Sequence, residues 1–235
     1  MTPDELLRVM DETWPAAAAH TVGPWIIREG RGGGQRVSAA SATAGASGDD
    51  LELAEQALAA LGQPPLFLIR ETDAALDMAL AGRGYHVHDP VVAYAAACAT
   101  LTQLPGPMTT FAHWPPMAIA VDLWAEGGIG AGRLAVMHRA AGPKTAILAR
   151  AADRASGVAF VAMAGKTAML HALEVTPGLR RQGSAHNMLR AAAIWAHDQG
   201  AETLSLVVTQ ANEPARRLYI SFGMKVVGHY HYRQK

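Results

Sequence analysis

Between Val175 and Ala185 the chain reads VTPGLRRQGSA, with an apolar, strand-like stretch before it and a helix-like stretch after it. The first backbone N–H groups of a helix have no partner within the helix. Together with the helix dipole they favour an anion, phosphate above all. Gly183 would let a ligand approach the backbone, and Ser184 and Ala185 keep the adjoining side chains small. Arg180 and Arg181 add charge-assisted donors for phosphate oxygens. The junction therefore reads as an anion site, against the plainer alternative of a loop with two solvated arginines.

A second glycine-rich stretch, GRGGGQR, runs from Gly30 to Arg36. It lies between GPWIIRE and QRVSAAS, which read as two strands, and it opens no helix. With no dipole to offer, it is expected to be a mobile hairpin tip and not a phosphate site.

The elements that must position these residues follow from periodicity and turn chemistry. Residues 3–13 read as a short helix, and DDLELAEQALAAL (Asp49 to Leu61) as another with acids at its start. LFLIR is a short buried strand, TDAALDMALAGRG a helix ended by glycine, and HVHDPVVAYAAA an extended stretch interrupted by Pro90. TLTQLPGPMTTFAHWPP, from Thr100 to Pro116, holds four prolines and no periodicity, so it reads as a linker. Beyond it lie helical segments within MAIAVDLWAEGGIGAGRLAVMHRA and two antiparallel strands, KTAILARAA and GVAFVAMAG. TAMLHALEV is a further strand. Ser184 to Gln199 reads as a helix, with Ala185, Met188, Leu189, Ala192 and Ala196 on one apolar stripe. TLSLVVT is a strand, NEPARRLYISFG a short helix capped by Asn212 with Pro214 in its first turn, and KVVGHYHYR the last strand. LFLIRETDAALDMALAGRGYHVHDPVVAY and LSLVVTQANEPARRLYISFGMKVVGHYHY share a strand–helix–glycine–strand layout, which suggests duplication.

The pattern R-x-x-G-x-A, preceded by V-x-P and a strand, resembles the acetyl-CoA motif of the GNAT superfamily of N-acyltransferases. The resemblance covers residues from about 144 to 233. It takes in the two antiparallel strands, LHALEV, TPGLRRQGSA, the amphipathic helix, LSLVV, N-x-x-A-x-x-L-Y and FGM, in that order. It implies an α/β (α+β) fold with a mixed central sheet and flanking helices, built here from two tandem GNAT-like halves. Residues 1–104 would be the degenerate N-terminal half and 105–235 the acetyl-CoA-binding catalytic domain. By the same resemblance, backbone groups of Leu173 to Val175 would pair with the pantetheine arm. Arg180, Arg181, Gln182, Gly183, Ser184 and Ala185 would wrap the pyrophosphate. Asn212 would bond the pantetheine or cap its helix, and Tyr219 would lie near the thioester sulfur.

Acyl transfer to an amine needs proton removal from the amine, stabilisation of an oxyanion and a proton for the leaving thiolate. Family position makes Tyr219 the donor to the thiolate. His171 and Glu174 are the two candidates for the base. Strand alternation would turn them to opposite faces, with Met169 and Leu173 on the side of His171. Histidine titrates near neutrality, and arylalkylamine N-acetyltransferases have a functional histidine in a similar HAL setting. Glu174 would act through a water. Resemblance also makes the Val175 N–H the donor to the oxyanion. His229 and His231, on one strand face, could pair on a metal but have no evident third ligand, so no metal is expected. Cys98 lies outside the matched region, and a covalent role for it is not expected.

Composition sets outer bounds. The chain has 235 residues, half of them hydrophobic, enough for one large domain or two small ones. Lysine plus arginine balance aspartate plus glutamate at 20 each, which gives no global reason to expect nucleic acid or an anionic membrane as partner. One cysteine permits no intramolecular disulfide, and the N-terminus carries acids early and no signal-peptide core. A cytoplasmic protein is expected. The reading is an acetyltransferase that passes the acetyl group of acetyl-CoA to an amine of a small molecule or peptide by direct attack, with a homodimer left open. The alternative is a non-catalytic acyl-CoA sensor or protein-interaction module on the same fold.

Overall fold

The computed structural model describes residues 1–101 and 103–235; Thr102, within the stretch expected to be a linker, lies outside the described residues. The helices are α1 (Pro3–Thr13), α2 (Leu51–Ala60), α3 (Ala74–Gly82), α4 (Ala118–Glu126), α5 (Ala131–Arg139), α6 (Ser184–Asp198) and α7 (Glu213–Ser221). The strands are β1 (Ala18–Val22), β2 (Trp25–Glu29), β3 (Ala40–Ala42), β4 (Leu66–Arg70), β5 (His86–Ala97), β6 (Thr110–His113), β7 (Lys144–Ala151), β8 (Arg154–Ala164), β9 (Thr167–Val175), β10 (Thr203–Thr209) and β11 (Lys225–Gln234).

All eleven strands join one sheet in the order β1-β2-β3-β4-β11-β5-β10-β9-β8-β7-β6. The sequence repeat is realised as β4–α3–β5 and β10–α7–β11. Its last strands are crossed: β11 runs antiparallel beside β4, and β5 antiparallel beside β10. Both neighbours of β5 in the sheet therefore lie beyond residue 105. Pro90, expected to interrupt β5, is carried inside it. It sits where the β5–β11 register slips between Tyr230 and Tyr232, so its missing N–H falls at a bulge.

The sheet buries a layer on each face. On one side α6 lays Met188, Leu189, Ala192, Ala193 and Ala196 against Ile147, Ala159, Val161 and Leu170. On the other, Trp14 at the end of α1 joins Trp124 of α4 and Val136 of α5 over Val158 and Phe160. Burying side chains of this size stabilises by about 1.5–3 kcal/mol each. The amphipathic start of α1 is fixed by a capping box: Thr2 Oγ1 accepts from the Glu5 N–H, and the Glu5 carboxylate accepts from the Thr2 N–H.

Two strands escape the periodicity. β1, AAHTV, is an exposed edge, and β6, TFAH, lies inside the proline-rich stretch and pairs with β7. The GRGGGQR stretch also differs from expectation. It is not a mobile tip: Gly33 is buried against Val136 of α5, and a methyl on Gly132 would run into the Gly32 carbonyl. The chain then turns through a short 3₁₀ segment, Gln35–Val37, before β3.

Candidate functional site

β9 and β10 run parallel only from Thr167 and Thr203 to Leu170 and Leu206. Beyond those residues they part, and a cavity of about 380 Å³ opens between them. Its walls include Leu173 and Glu174 of β9, Thr209 of β10, Asn212 and Tyr219 of the following turn and helix, and Trp14, Arg36 and Arg133 from across the sheet.

The parting coincides with a bulge. Phe160 of β8 faces His171, but Val158 faces Glu174, one residue more than a regular antiparallel ladder allows. The extra residue is absorbed at Ala172, which has φ +50° and whose carbonyl accepts from Trp124 Nε1 at 2.8 Å. Directly opposed residues of a ladder share a face. His171 and Glu174 therefore both lie on the side of Phe160 and Val158. The expectation of opposite faces is corrected, and its cause is the bulge, which reverses the alternation once. The bulge also turns backbone. Thr176 N–H donates to the Ser156 carbonyl, so by ladder alternation the Val175 N–H points the other way, into the space between β9 and β10.

Glu174 is half-buried, and Gly127 lies against it: a Cβ there would sit 2.7 Å from Glu174 Cγ. Burial raises its carboxyl above the ordinary value, while the guanidinium groups of Arg180 and Arg133 pull the other way. Tyr219 is buried in the α6-side core with its ring 5.8 Å from that of Tyr94. Burial, the Glu174 carboxylate and the Tyr94 phenol push its hydroxyl up to about 12, so it holds its proton at neutral pH. An acid and a carboxyl with a raised affinity for protons thus line one cavity.

His171 is placed differently. Its ring is 4% exposed and stacks 5.0 Å from Trp14. Nε2 lies 2.9 Å from Thr13 Oγ1, whose own hydrogen goes to the Val9 carbonyl at 2.6 Å. That pattern assigns the proton to Nε2, which donates to Thr13. Nδ1 is then the acceptor, and it takes Arg36 Nη1–H at 2.9 Å. Both ring nitrogens are engaged. Burial and the Arg36 charge hold its pKa well below the ordinary 6.5.

At the α6 junction Gly183 adopts φ +84°, the left-handed conformation that glycine takes without strain, and Arg181 adopts +65°. The first helical hydrogen bond runs from the Asn187 N–H to the Gly183 carbonyl, which leaves the N–H groups of Ser184, Ala185 and His186 without intrahelical partners. Ser184 is buried, its Oγ 2.8 Å from Ser156 Oγ, so its side chain anchors the turn. Arg181, Gln182 and Gly183 are exposed, as is Arg180, which turns Nε to the Val175 carbonyl at 3.2 Å. A diphosphate fits these donors. Asn212 caps α7, its Oδ1 accepting from the Ala215 N–H at 3.2 Å. The structure thus brings Glu174, Asn212 and Tyr219 around one opening, and the junction follows Glu174 in the chain.

The remaining candidates lie apart. His229 bonds Glu71, and His231 bonds Asp77; no group of three or more metal-ligating side chains occurs among the described residues. Cys98 is buried beneath α6, and burial pushes its thiol up to about 11. Among the described residues no helix is long and apolar enough to cross a membrane. Sequence reasoning missed Arg36, Trp14 and Arg133 as cavity residues. Arg36 was legible only as the end of GRGGGQR, and nothing local shows that this loop reaches His171.

Comparison with known proteins bears on the family of the chain. The chain is 25% identical over 238 residues to the uncharacterized N-acetyltransferase YobR of Bacillus subtilis (strain 168), spanning 97% of this chain and 96% of that one. A GCN5-related N-acetyltransferase from Kribbella flavida has a similar structure, with TM-score 0.74 at 17% identity over all of this chain and 96% of the other. A tandem GNAT protein from the clavulanic acid biosynthesis pathway aligns at TM-score 0.61 and 13% identity, over 84% of this chain and 74% of that one. The family model for the Acetyltransferase (GNAT) family matches residues 92–224, a span that holds the bulged strand, the glycine junction and Tyr219. By that match over more than half its length, the chain belongs to the GNAT acetyltransferase family.

Proposed function

We propose that this protein transfers the acetyl group of acetyl-CoA to an amine by direct attack. The observation that carries the reading is the shared cavity. Glu174 and Tyr219 line the gap between β9 and β10, and the free N–H groups at the start of α6 follow on from β9 through the eight residues 176–183. Acetyl-CoA, when bound, supplies an activated acyl group on a thiol leaving group. The α6 N-terminus, with Arg180, Arg181 and Gln182, holds the diphosphate. Leu173 and Val175 present backbone to the pantetheine arm. Glu174 takes a proton from the amine, directly or through one water. The Val175 N–H, turned into the gap, stabilises the developing oxyanion. Tyr219 gives its proton to the departing thiolate. The lone buried Cys98 leaves no disulfide to form within the chain, and we place the protein in the cytoplasm on that ground.

The test is a panel of small amines and peptides with acetyl-CoA, read by thiol release and by mass spectrometry of the product. Release matched by an N-acetylated amine supports the reading. Acetyl-CoA binding without release above buffer, across the panel, overturns it in favour of an acyl-CoA sensor.

A further inference from the structure

The cavity holds a charge that acyl transfer does not use. Arg36 lines it at the end of the GRGGGQR loop, half-buried, with its guanidinium 5.8 Å above the Trp14 ring. Nη1 donates to His171, and no carboxylate lies within ion-pair distance of Arg36 among the described residues. A cation stacked on an aromatic ring and tied to a neutral imidazole is fixed in place but not neutralised. Its Nε and Nη2 enter no hydrogen bond among the described residues, and that edge is the fork that takes a carboxylate in two parallel hydrogen bonds.

The rest of the loop is built to hold this position. Gly33 packs on Val136 and Val37, and the Gly32 carbonyl lies against Gly132, so the loop is clamped to α5. His171 in turn is tied through Thr13 to the Val9 carbonyl in α1. Arg133, in the first turn of α5, places a second guanidinium beside Gly34 and on the same cavity. The carboxylates on the lining are Glu174, assigned above to the proton transfer, and the half-buried Asp89, which lies 3.4 Å from His88.

We infer that Arg36, clamped by its glycine loop and by His171, is the anchor for a carboxylate on the acceptor, which makes the acceptor an amino acid or a closely similar amine bearing a carboxylate. The inference rests on the acyl-transfer reading for the word acceptor alone; the anion site stands on Arg36 and its surroundings. His171 is then a positioning residue, acting through Arg36. A cavity of about 380 Å³ is of a size for a small ligand of this kind.

The test compares amino acids with the amines left when their carboxylates are removed: phenylalanine with phenethylamine, tyrosine with tyramine, histidine with histamine, and lysine with cadaverine. Binding is measured by calorimetry in the presence of CoA, so the readout does not depend on turnover. In at least one pair the amino acid should bind tenfold or more tightly than its amine. Arg36→Gln should abolish that preference, and Arg36→Lys, which keeps the charge but not the fork, should restore it only in part. His171→Ala should weaken the preference while leaving acetyl-CoA affinity unchanged. Circular dichroism and melting temperature show which variants fold; His171→Ala serves if Arg36→Gln does not. Equal or tighter binding of the amine in every pair, no binding in any pair, or a preference that survives Arg36→Gln would overturn the inference. Carboxylate-selective binding without thiol release would leave the anion site standing and remove acyl transfer. Thiol release with neutral amines, indifferent to Arg36→Gln, would do the reverse.

Discussion

Arg36 Nη1 donates to Nδ1 of His171 across 2.9 Å, although 135 residues separate the two in the chain. The contact joins the glycine loop of the first half to the bulged strand of the second. It sets the protonation state of the histidine, because an imidazolium there would turn an N–H toward a guanidinium. The pKa of His171 is held well below 6.5 by burial and by that charge. In the unfolded chain it returns to about 6.5. Between those two values the unfolded chain binds the extra proton, so the contribution to stability is complete above about pH 6.5 and declines below it, by up to about 1.4 kcal/mol per pH unit. The melting temperature of the wild type should therefore fall between pH 7 and 5 more steeply than that of His171→Gln. Equal slopes would mean that His171 does not titrate on unfolding.

Clamping of the glycine loop is a separate matter of space. Gly132→Ala drives a methyl group into the Gly32 carbonyl, which is backbone and cannot rotate away. Overpacking of this kind costs about 1–3 kcal/mol. Urea denaturation should show a lower midpoint at unchanged slope. A midpoint equal to that of wild type would show that the loop is free to shift.

Gly183 carries two demands, a left-handed backbone and access for a ligand. Gly183→Asp meets neither, and it sets a negative charge at the helix start where the diphosphate is held. Acetyl-CoA affinity should drop at least tenfold, or about 1.4 kcal/mol, by calorimetry. A folded variant with unaltered affinity would move the cofactor away from this junction.

Much of this site is written in local sequence. Gly183, the arginines beside it and the stripe of α6 follow from the rules of helix starts and periodicity, and Asn212 from N-cap chemistry. The bulge does not. Alanine at φ +50° has no compositional mark, so strict alternation sets His171 and Glu174 apart when one extra residue brings them to one face. Strand exchange was equally hidden. β5 and β11 close the two copies of the repeat, and which neighbour each one finds is decided by pairing across more than a hundred residues. β1 and β6 are short edge strands whose pairing is settled by the adjoining strand and not by their own hydrophobicity. The glycines of GRGGGQR announced a turn, and Gly32 and Gly34 do take positive φ, but only packing against Val136 of α5 shows why Gly33 must be glycine.

Glu174 gives the proton-removal step a pH signature. Its carboxyl is raised above the ordinary value by burial. As a base it works ionised, so kcat/KM should fall as the pH drops through that raised value. Glu174→Gln should lower kcat/KM by about 10²- to 10⁴-fold and flatten the acidic limb. A limb unchanged in Glu174→Gln would assign proton removal to water or to an amine that arrives neutral.

Tyr219→Phe tests the central claim, that this cavity performs acyl transfer, most directly. The substitution keeps the ring and its packing against Tyr94 and removes the hydroxyl, and with it the proton to be donated. With an acceptor identified from the amine panel, thiol release should fall by about 10- to 1000-fold, while acetyl-CoA affinity by calorimetry stays within about twofold of wild type. Full turnover in folded Tyr219→Phe would contradict the account, because the departing thiolate would then take its proton from elsewhere.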